Sequence, residues 1–304
     1  MAIVVAGHTG LVGSAIFNLL QAHGEQVIGI NSKVVNLLDR NETFEFINDV
    51  KPYLVIDCAA VAGGIGANDS FPVDFLSKNL QIQSNLMDAA HDANVERFVF
   101  LGSSCIYPRE CPQPIKEEYL MTGPLESTNS AYAVAKIAGL ELVKSYRKQY
   151  NRRWISLMPT NMYGPGDNFD LETSHVFPAF INRFVSARKS NAHSVTLWGT
   201  GKPRREFLHT SDLAEAVLLA ADRYDGDSHL NVGTGSDLTI KELAELVAAK
   251  SGFEGTIEWD ASKPDGTPRK VLDVSRLQAL GWKPKISLED GISETIRWFE
   301  SNLN

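Results

Sequence analysis

Tyr132 and Lys136, in the run Tyr132-Ala133-Val134-Ala135-Lys136, stand four residues apart, on one face of any helix that contains them. A phenol ordinarily ionises at about pH 10. A nearby ammonium and a cationic nicotinamide ring both favour the phenolate and lower that value. Such a tyrosine can donate its proton to a carbonyl oxygen while hydride arrives at the carbon. A Y-x-x-x-K pair alone is common on ordinary helices. Its weight here comes from Ser103 and Ser104, which follow the apolar run Phe98-Val99-Phe100-Leu101-Gly102. The carboxyl end of a strand is where an open parallel sheet binds ligands, and a serine there can hydrogen-bond the same carbonyl.

A second chemical signal opens the chain. Gly7-His8-Thr9-Gly10-Leu11-Val12-Gly13 follows an apolar strand candidate and starts a helix candidate. Gly7 allows a tight turn, Gly10 lets backbone approach a pyrophosphate, and Gly13 lets helix and strand pack closely. The helix N-terminus then offers free N–H groups and a favourable dipole to the phosphates. The second strand ends at Ile30-Asn31-Ser32-Lys33, where an NAD site usually offers a carboxylate to the ribose hydroxyls. None is present. Ser32 and Lys33 suit a 2′-phosphate instead, through a hydroxyl and a point charge, so NADP (NADPH) is the expected cofactor.

These groups need a scaffold, and the chain supplies an alternating one. Strand candidates at 2–6, 26–30, 54–58, 97–102 and 154–158 are separated by helix candidates at 11–23, 43–50, 74–93 and 132–150. Apolar strands without alternation, separated by helices, predict an α/β fold: a doubly wound, parallel Rossmann-type sheet. Residues 159–175 form a long Pro/Gly-containing connection of the kind that carries function. Beyond it lie a helix candidate at 177–187, a strand-and-helix pattern at 194–198 and 208–221, and a helix at 241–251. A Pro/Gly-rich loop at 262–270 and an amphipathic C-terminal helix complete the chain. The expected organisation is a cofactor domain at 1–164 with a return of 206–232. A smaller, discontinuous α/β substrate domain takes 165–205 and 233–304.

Composition bounds the partners. The 304 residues carry 29 basic and 37 acidic side chains, a net charge of −8. A nucleic-acid binder or a protein of anionic membranes usually carries the opposite sign. No run of apolar residues is long enough to span a bilayer, and residues 1–6 lack the pattern of a secretory signal. Cys58, Cys105 and Cys111 give no disulfide framework and suit a reducing cytoplasm. No Cys/His group has metal-ligand spacing, so no metal is expected. Cys58 and Cys111 read as packing residues.

The glycine loop, the strand-end serines and Tyr132/Lys136 together resemble the extended short-chain dehydrogenase/reductase family. Further runs resemble that family's GDP-sugar 3,5-epimerase/4-reductases more specifically. They are Gly102-Ser103-Ser104-Cys105-Ile106-Tyr107-Pro108, Met158-Pro159-Thr160-Asn161-Met162-Tyr163-Gly164-Pro165, Asp167-Asn168-Phe169 and Ser174-His175-Val176. Trp198-Gly199-Thr200-Gly201, Arg204-Arg205-Glu206-Phe207-Leu208-His209 and residues 262–270 complete the match, which covers essentially the whole chain. The resemblance implies conversion of GDP-4-keto-6-deoxy-D-mannose to GDP-L-fucose. C3 and C5 are epimerised, and the C4 ketone is then reduced by NADPH. It assigns Ser103, Tyr132 and Lys136 to the carbonyl, and Cys105 and His175 to proton exchange at C3 and C5. Leu101, Gly102, Ser103, Ser104, Tyr132, Lys136, Pro159, Thr160, Asn161, Met162 and His175 join the glycine loop and Asn31, Ser32 and Lys33 around the cofactor. Arg183, Trp198, Arg205, Asp265 and Lys270 are the implied contacts of the GDP-sugar, and a homodimer joined by helices of the large domain is the implied assembly.

Two rival readings differ in testable ways. A nucleotide-sugar 4,6-dehydratase of the family carries an Asp-Glu pair after the strand-end hydroxyl, where this chain has Ser104-Cys105. A related 4-epimerase retains its cofactor through the reaction. A silent NADP-binding module commonly lacks the tyrosine or the lysine, and both are present here.

Overall fold

The computed structural model describes residues 2–263 and 265–302; Pro264 of the 262–270 motif lies outside the described residues. The first half alternates as the apolar runs require: β1 (Ile3–Ala6), α1 (Leu11–Ala22), β2 (Val27–Ile30), α2 (Arg40–Val50) and β3 (Leu54–Asp57). Next come α3 (Ile65–Ser70), a π turn (Asp74–Lys78) running into α4 (Asn79–Asp92), β4 (Arg97–Leu101), α5 (Ser130–Tyr150) and β5 (Ile155–Pro159). The second half contains β6 (Asn161–Tyr163), α6 (Val176–Lys189), β7 (Ser194–Trp198), β8 (Arg204–Arg205), β9 (Phe207–His209) and α7 (Thr210–Arg223). It ends with β10 (Leu230–Val232), β11 (Leu238–Thr239), α8 (Ile240–Ser251), β12 (Thr256–Asp260), β13 (Arg269–Lys270), α9 (Ser275–Ala279) and α10 (Leu288–Asn302).

Six strands form one parallel sheet in the order β10-β5-β4-β3-β1-β2. Both faces are covered, which is why β1, β3, β4 and β5 are buried along their whole length. Residues of α2, α4 and α5 fill one face and residues of α1 and α7 the other. A third core gathers α6, α8 and α10 around Phe177, Phe184 and Leu243, away from the large sheet. β6 pairs with β9, and β8 lies between β11 and β13. Among the described residues no helix is long and apolar enough to cross a membrane.

Several boundaries move for local reasons. The helix expected at 43–50 begins at Arg40, because the Asp39 side chain caps it by accepting from Glu42 N–H. The segment expected at 208–221 starts as strand β9 and turns helical at Thr210, where the His209 ring accepts from Ser211 N–H. The strand expected at 54–58 stops at Asp57, leaving Cys58 just beyond it. Trp154 precedes β5 rather than opening it, and is buried with its ring 5.0 Å from that of Phe98.

Candidate active site

At the end of β1 the chain turns with Gly7 at φ 76°, and its N–H donates to Ile30 O at 2.8 Å. A Cβ on Gly7 would stand 2.9 Å from Ala59 Cα, and one on Gly13 would stand 2.1 Å from Gly7 O. Those two glycines are demanded by packing. Gly10 is different: an added Cβ there meets only Gly7 O, at 3.4 Å. Gly10 caps α1 without any side-chain hydrogen bond, and the first turn holds no acidic residue. The uncapped N–H groups therefore fit a pyrophosphate. The His8 ring turns away, 5.2 Å from the Phe17 ring and against Gly29, so only backbone at His8 is left for phosphate. Ser32 and Lys33 are exposed past β2, on a turn tied by Lys33 N–H donating to Asn31 Oδ1 at 3.0 Å. Lys33 makes no ion pair among the described residues, an arrangement that fits a 2′-phosphate.

The end of β4 holds the reactive hydroxyls. Gly102 lies so close to Met158 that a Cβ would approach its sulfur to 2.3 Å. Ser103 is extended, and its Oγ accepts from Cys105 N–H at 3.2 Å, which starts a short 3-10 turn over Ser104–Ile106. Tyr132 and Lys136 face this turn from α5. Lys136 is buried; its Nζ donates to Leu101 O at 2.9 Å and lies 5.9 Å from the Tyr132 ring centroid. Burial pushes the Tyr132 phenol up, and Cys105 and Asp57 push it further in the same direction. Burial also lowers Lys136, whose charge is sustained by Asp57 and Cys58. Lys136 is bonded to the Leu101 carbonyl, within 5.9 Å of the phenol ring centroid, so its ammonium field is shared between the tyrosine and the buried carboxylate of Asp57.

Cys105 sits at a meeting of both halves of the chain. Its Sγ accepts from Asn129 Nδ2 at 3.5 Å and from Lys270 Nζ at 3.6 Å. The β8–β13 pairing places Lys270 opposite Arg205, so two cations arrive together. Burial lowers the Arg205 guanidinium, against the opposing pull of Cys105, Glu126 and Asp265. His175 is the N-cap residue of α6. The residue is exposed to water at that helix end, and desolvation by its surroundings lowers the imidazole, with the Lys270 charge adding to the effect. Ser103 and Lys270 thus contact Cys105 directly, the charges of Tyr132 and Arg205 act on the same thiol, and that of His175 on Lys270.

The side chains of several other expected site residues make contacts within the protein. Thr160 Oγ1 and Asn161 Nδ2 both donate to Glu206 O, at 3.3 and 2.8 Å, while Met162 packs against the core on the α1 and α7 face. Those side chains hold β6 to β9, and Pro159 closes β5 opposite Val232. The Asp265 carboxylate accepts from Thr200 N–H and Thr200 Oγ1, both at 2.7 Å, and so fixes its own loop. Trp198 is exposed, with Lys263 Nζ 5.4 Å from its ring centroid. Arg183 is half-buried on α6.

Two residues were missed. Asn129 has its Oδ1 buried without a partner while its amide donates to Cys105, yet a lone asparagine before a helix reads as an ordinary cap. Asp57 had a legible signal: it is the one acid ending the apolar run Leu54-Val55-Ile56-Asp57.

Comparison with known proteins bears on the family and the fold. Residues 3–233 match the NAD dependent epimerase/dehydratase family. The chain is 52% identical over 303 residues to the probable GDP-L-fucose synthase 1 of Oryza sativa subsp. japonica, covering 99% of this chain and 92% of that one. It is 47% identical over 310 residues to the GDP-L-fucose synthase of Escherichia coli (strain K12), covering 99% and 97%. Among solved structures, a GDP-L-fucose synthetase from Naegleria fowleri bound to NADP superposes with a TM-score of 0.91 at 27% identity, covering 99% of this chain and 94% of that one.

Proposed function

This chain belongs to the NAD dependent epimerase/dehydratase family, and we propose that it is a GDP-L-fucose synthase, converting GDP-4-keto-6-deoxy-D-mannose to GDP-L-fucose with NADPH. The observation that carries this reading is Cys105: a thiol, in contact with Lys270, shares a strand-end turn with the carbonyl-directed Ser103. A family member that only moves hydride needs no such thiol beside the sugar.

The protons on C3 and C5 flank the C4 carbonyl, so removal of either leaves an enolate. The Ser103 and Tyr132 hydroxyls, aimed at the C4 oxygen, stabilise that charge as an oxyanion hole does. Inversion requires proton transfer on opposite faces of each carbon, and Cys105 and His175 take those two roles. Bound NADPH supplies a hydride to C4. Tyr132 gives its proton to the C4 oxygen, and Lys136 orders this end of the site through the Leu101 carbonyl. Arg205 and Lys270 serve the diphosphate side of the nucleotide, where a planar guanidinium and a point charge complement each other. Arg183, Trp198 and the loop held by Asp265 line the approach.

The working assembly is a homodimer in the cytoplasm. Phe71 and Val73 beside the π turn, and Val134 on α5, are large apolar groups left exposed where α5 packs on that turn, which supports a second copy covering them. Three free cysteines and a reduced cofactor suit that compartment.

The test is to follow NADPH absorbance with GDP-4-keto-6-deoxymannose in deuterated water. Oxidation of NADPH with deuterium appearing at C3 and C5 of the product is expected. No oxidation with authentic substrate overturns the reading, and oxidation without exchange reduces it to a simple 4-reductase.

A further inference from the structure

β3 is apolar up to its last residue, and that residue, Asp57, is as fully buried as the rest. Its Oδ1 accepts from Ala59 N–H at 3.1 Å; its Oδ2 has no hydrogen-bond partner. In the β3–β4 register Asp57 stands opposite Phe100. Lys136 arrives at the same place from α5, its Nζ 4.9 Å from the Phe100 ring centroid and bonded to the carbonyl of Leu101, the next residue along β4. A buried carboxylate with a bare oxygen is costly unless a cation stands near it, and Lys136 is the cation whose charge reaches this one. Cys58 follows Asp57 directly in the chain, and Tyr132 lies one turn before Lys136 on α5, so the thiol and the phenol share the carboxylate's field.

We propose that Asp57 is a positioning residue for the reduction: its carboxylate, set behind Lys136, keeps the Tyr132–Lys136 pair in its fully protonated, proton-donating form. This rests on the reductase reading above. Tyr132 and Lys136 lose their first proton as a coupled unit. A fixed anion beside the unit opposes that loss, whichever atom gives up the proton. The anion also draws on the ammonium field that would otherwise favour phenolate. Ketone reduction needs the phenol proton present, whereas alcohol oxidation needs it gone, so Asp57 biases the site towards reduction. Burial raises the Asp57 carboxyl to about 6, with Lys136 pulling it back, so the anion is in place at neutral pH.

Asp57→Asn keeps the shape and removes the charge, and Asp57→Ser provides a smaller second variant. The measurement is kcat for NADPH oxidation against pH, with circular dichroism and the KM for NADPH reporting the fold. The alkaline limb is expected to move towards neutral by about one pH unit, with KM nearly unchanged. A limb that stays in place or moves to higher pH in a folded variant overturns the proposal. Tyrosinate absorbance of the NADP-bound protein, taken as the difference from Tyr132→Phe, gives a reading without substrate. Ionisation of Tyr132 should begin at lower pH in Asp57→Asn; an equal or later onset overturns the proposal. If the parent protein oxidises no NADPH with the keto sugar, the functional reading fails while the absorbance titration still decides on Asp57.

Discussion

Lys270 Nζ lies 3.6 Å from Cys105 Sγ across 165 residues of chain. The contact is made by tertiary structure alone: the short β8–β13 pairing carries the 262–270 loop back to the turn after β4. An ammonium at the sulfur orients Cys105 and stabilises the charge that develops beside it as a proton leaves carbon. Lys270→Met is therefore expected to slow solvent-deuterium exchange at C3 and C5 by roughly ten-fold or more, with Cys105→Ser slower still, within the range of ~10²–10⁴ that general acid–base groups contribute. Nuclear magnetic resonance of the keto sugar without reductant measures this directly. Exchange at the parent rate in either variant removes that residue from the proton-transfer step.

The same lysine sets the sign of a pH effect at His175. Desolvation and the Lys270 charge both hold the imidazole below its ordinary value, so at neutral pH the ring is biased to its neutral form. Lys270→Met takes away the second cause and leaves the first. The His175 midpoint should rise towards the ordinary range, without fully reaching it. Ring-proton shifts against pH, assigned with His175→Asn, provide the check; a midpoint that falls contradicts the arrangement.

Gly10 and Gly13 should separate cofactor binding from folding. An alanine at Gly13 collides with the Gly7 carbonyl, so it is expected to lower stability by about 1–3 kcal/mol, as overpacking does. An alanine at Gly10 meets almost nothing in the protein. Gly10→Ala should melt close to the parent temperature while binding NADPH at least roughly ten-fold more weakly, because its methyl stands where the pyrophosphate approaches. Thermal melts and fluorescence titration of NADPH decide. Equal affinities in Gly10→Ala and the parent refute phosphate approach at this loop.

Much of this was legible in the sequence because short-range physics wrote it there. The buried runs of β1, β3, β4 and β5 had no polar alternation, and a parallel sheet covered on both faces was the one arrangement that suited them. Gly7 and Gly13 were legible because backbone crowding leaves no other residue type. Side-chain direction was not. His8 belongs to the phosphate loop by position, yet its ring fills the space over Gly29. Thr160 and Asn161 follow a strand end, yet both turn to Glu206. The Tyr132–Lys136 spacing was visible, but the Leu101 carbonyl and Asp57 that also meet the lysine come from two other strands. Asn129 and Lys270 reach Cys105 only once 24 and 165 residues of chain have folded back.

Cofactor choice gives the last test. Lys33 is exposed on the turn after β2, beside Ser32, and no carboxylate occupies the position that would receive a ribose hydroxyl pair. Among the described residues Lys33 has no acidic partner, so its charge is available to a 2′-phosphate. Replacing it with alanine removes a point charge that only NADPH can use. Lys33→Ala should weaken NADPH by roughly three- to ten-fold, the scale of one solvent-exposed ion pair with a doubly charged phosphate, and leave NADH unchanged. The NADPH loss should also shrink as salt is raised, since exposed charges are screened. Fluorescence titrations of both cofactors at two ionic strengths give the answer. An equal loss for NADH and NADPH would place Lys33 outside the phosphate site and leave Ser32 as the sole side chain to explain the preference.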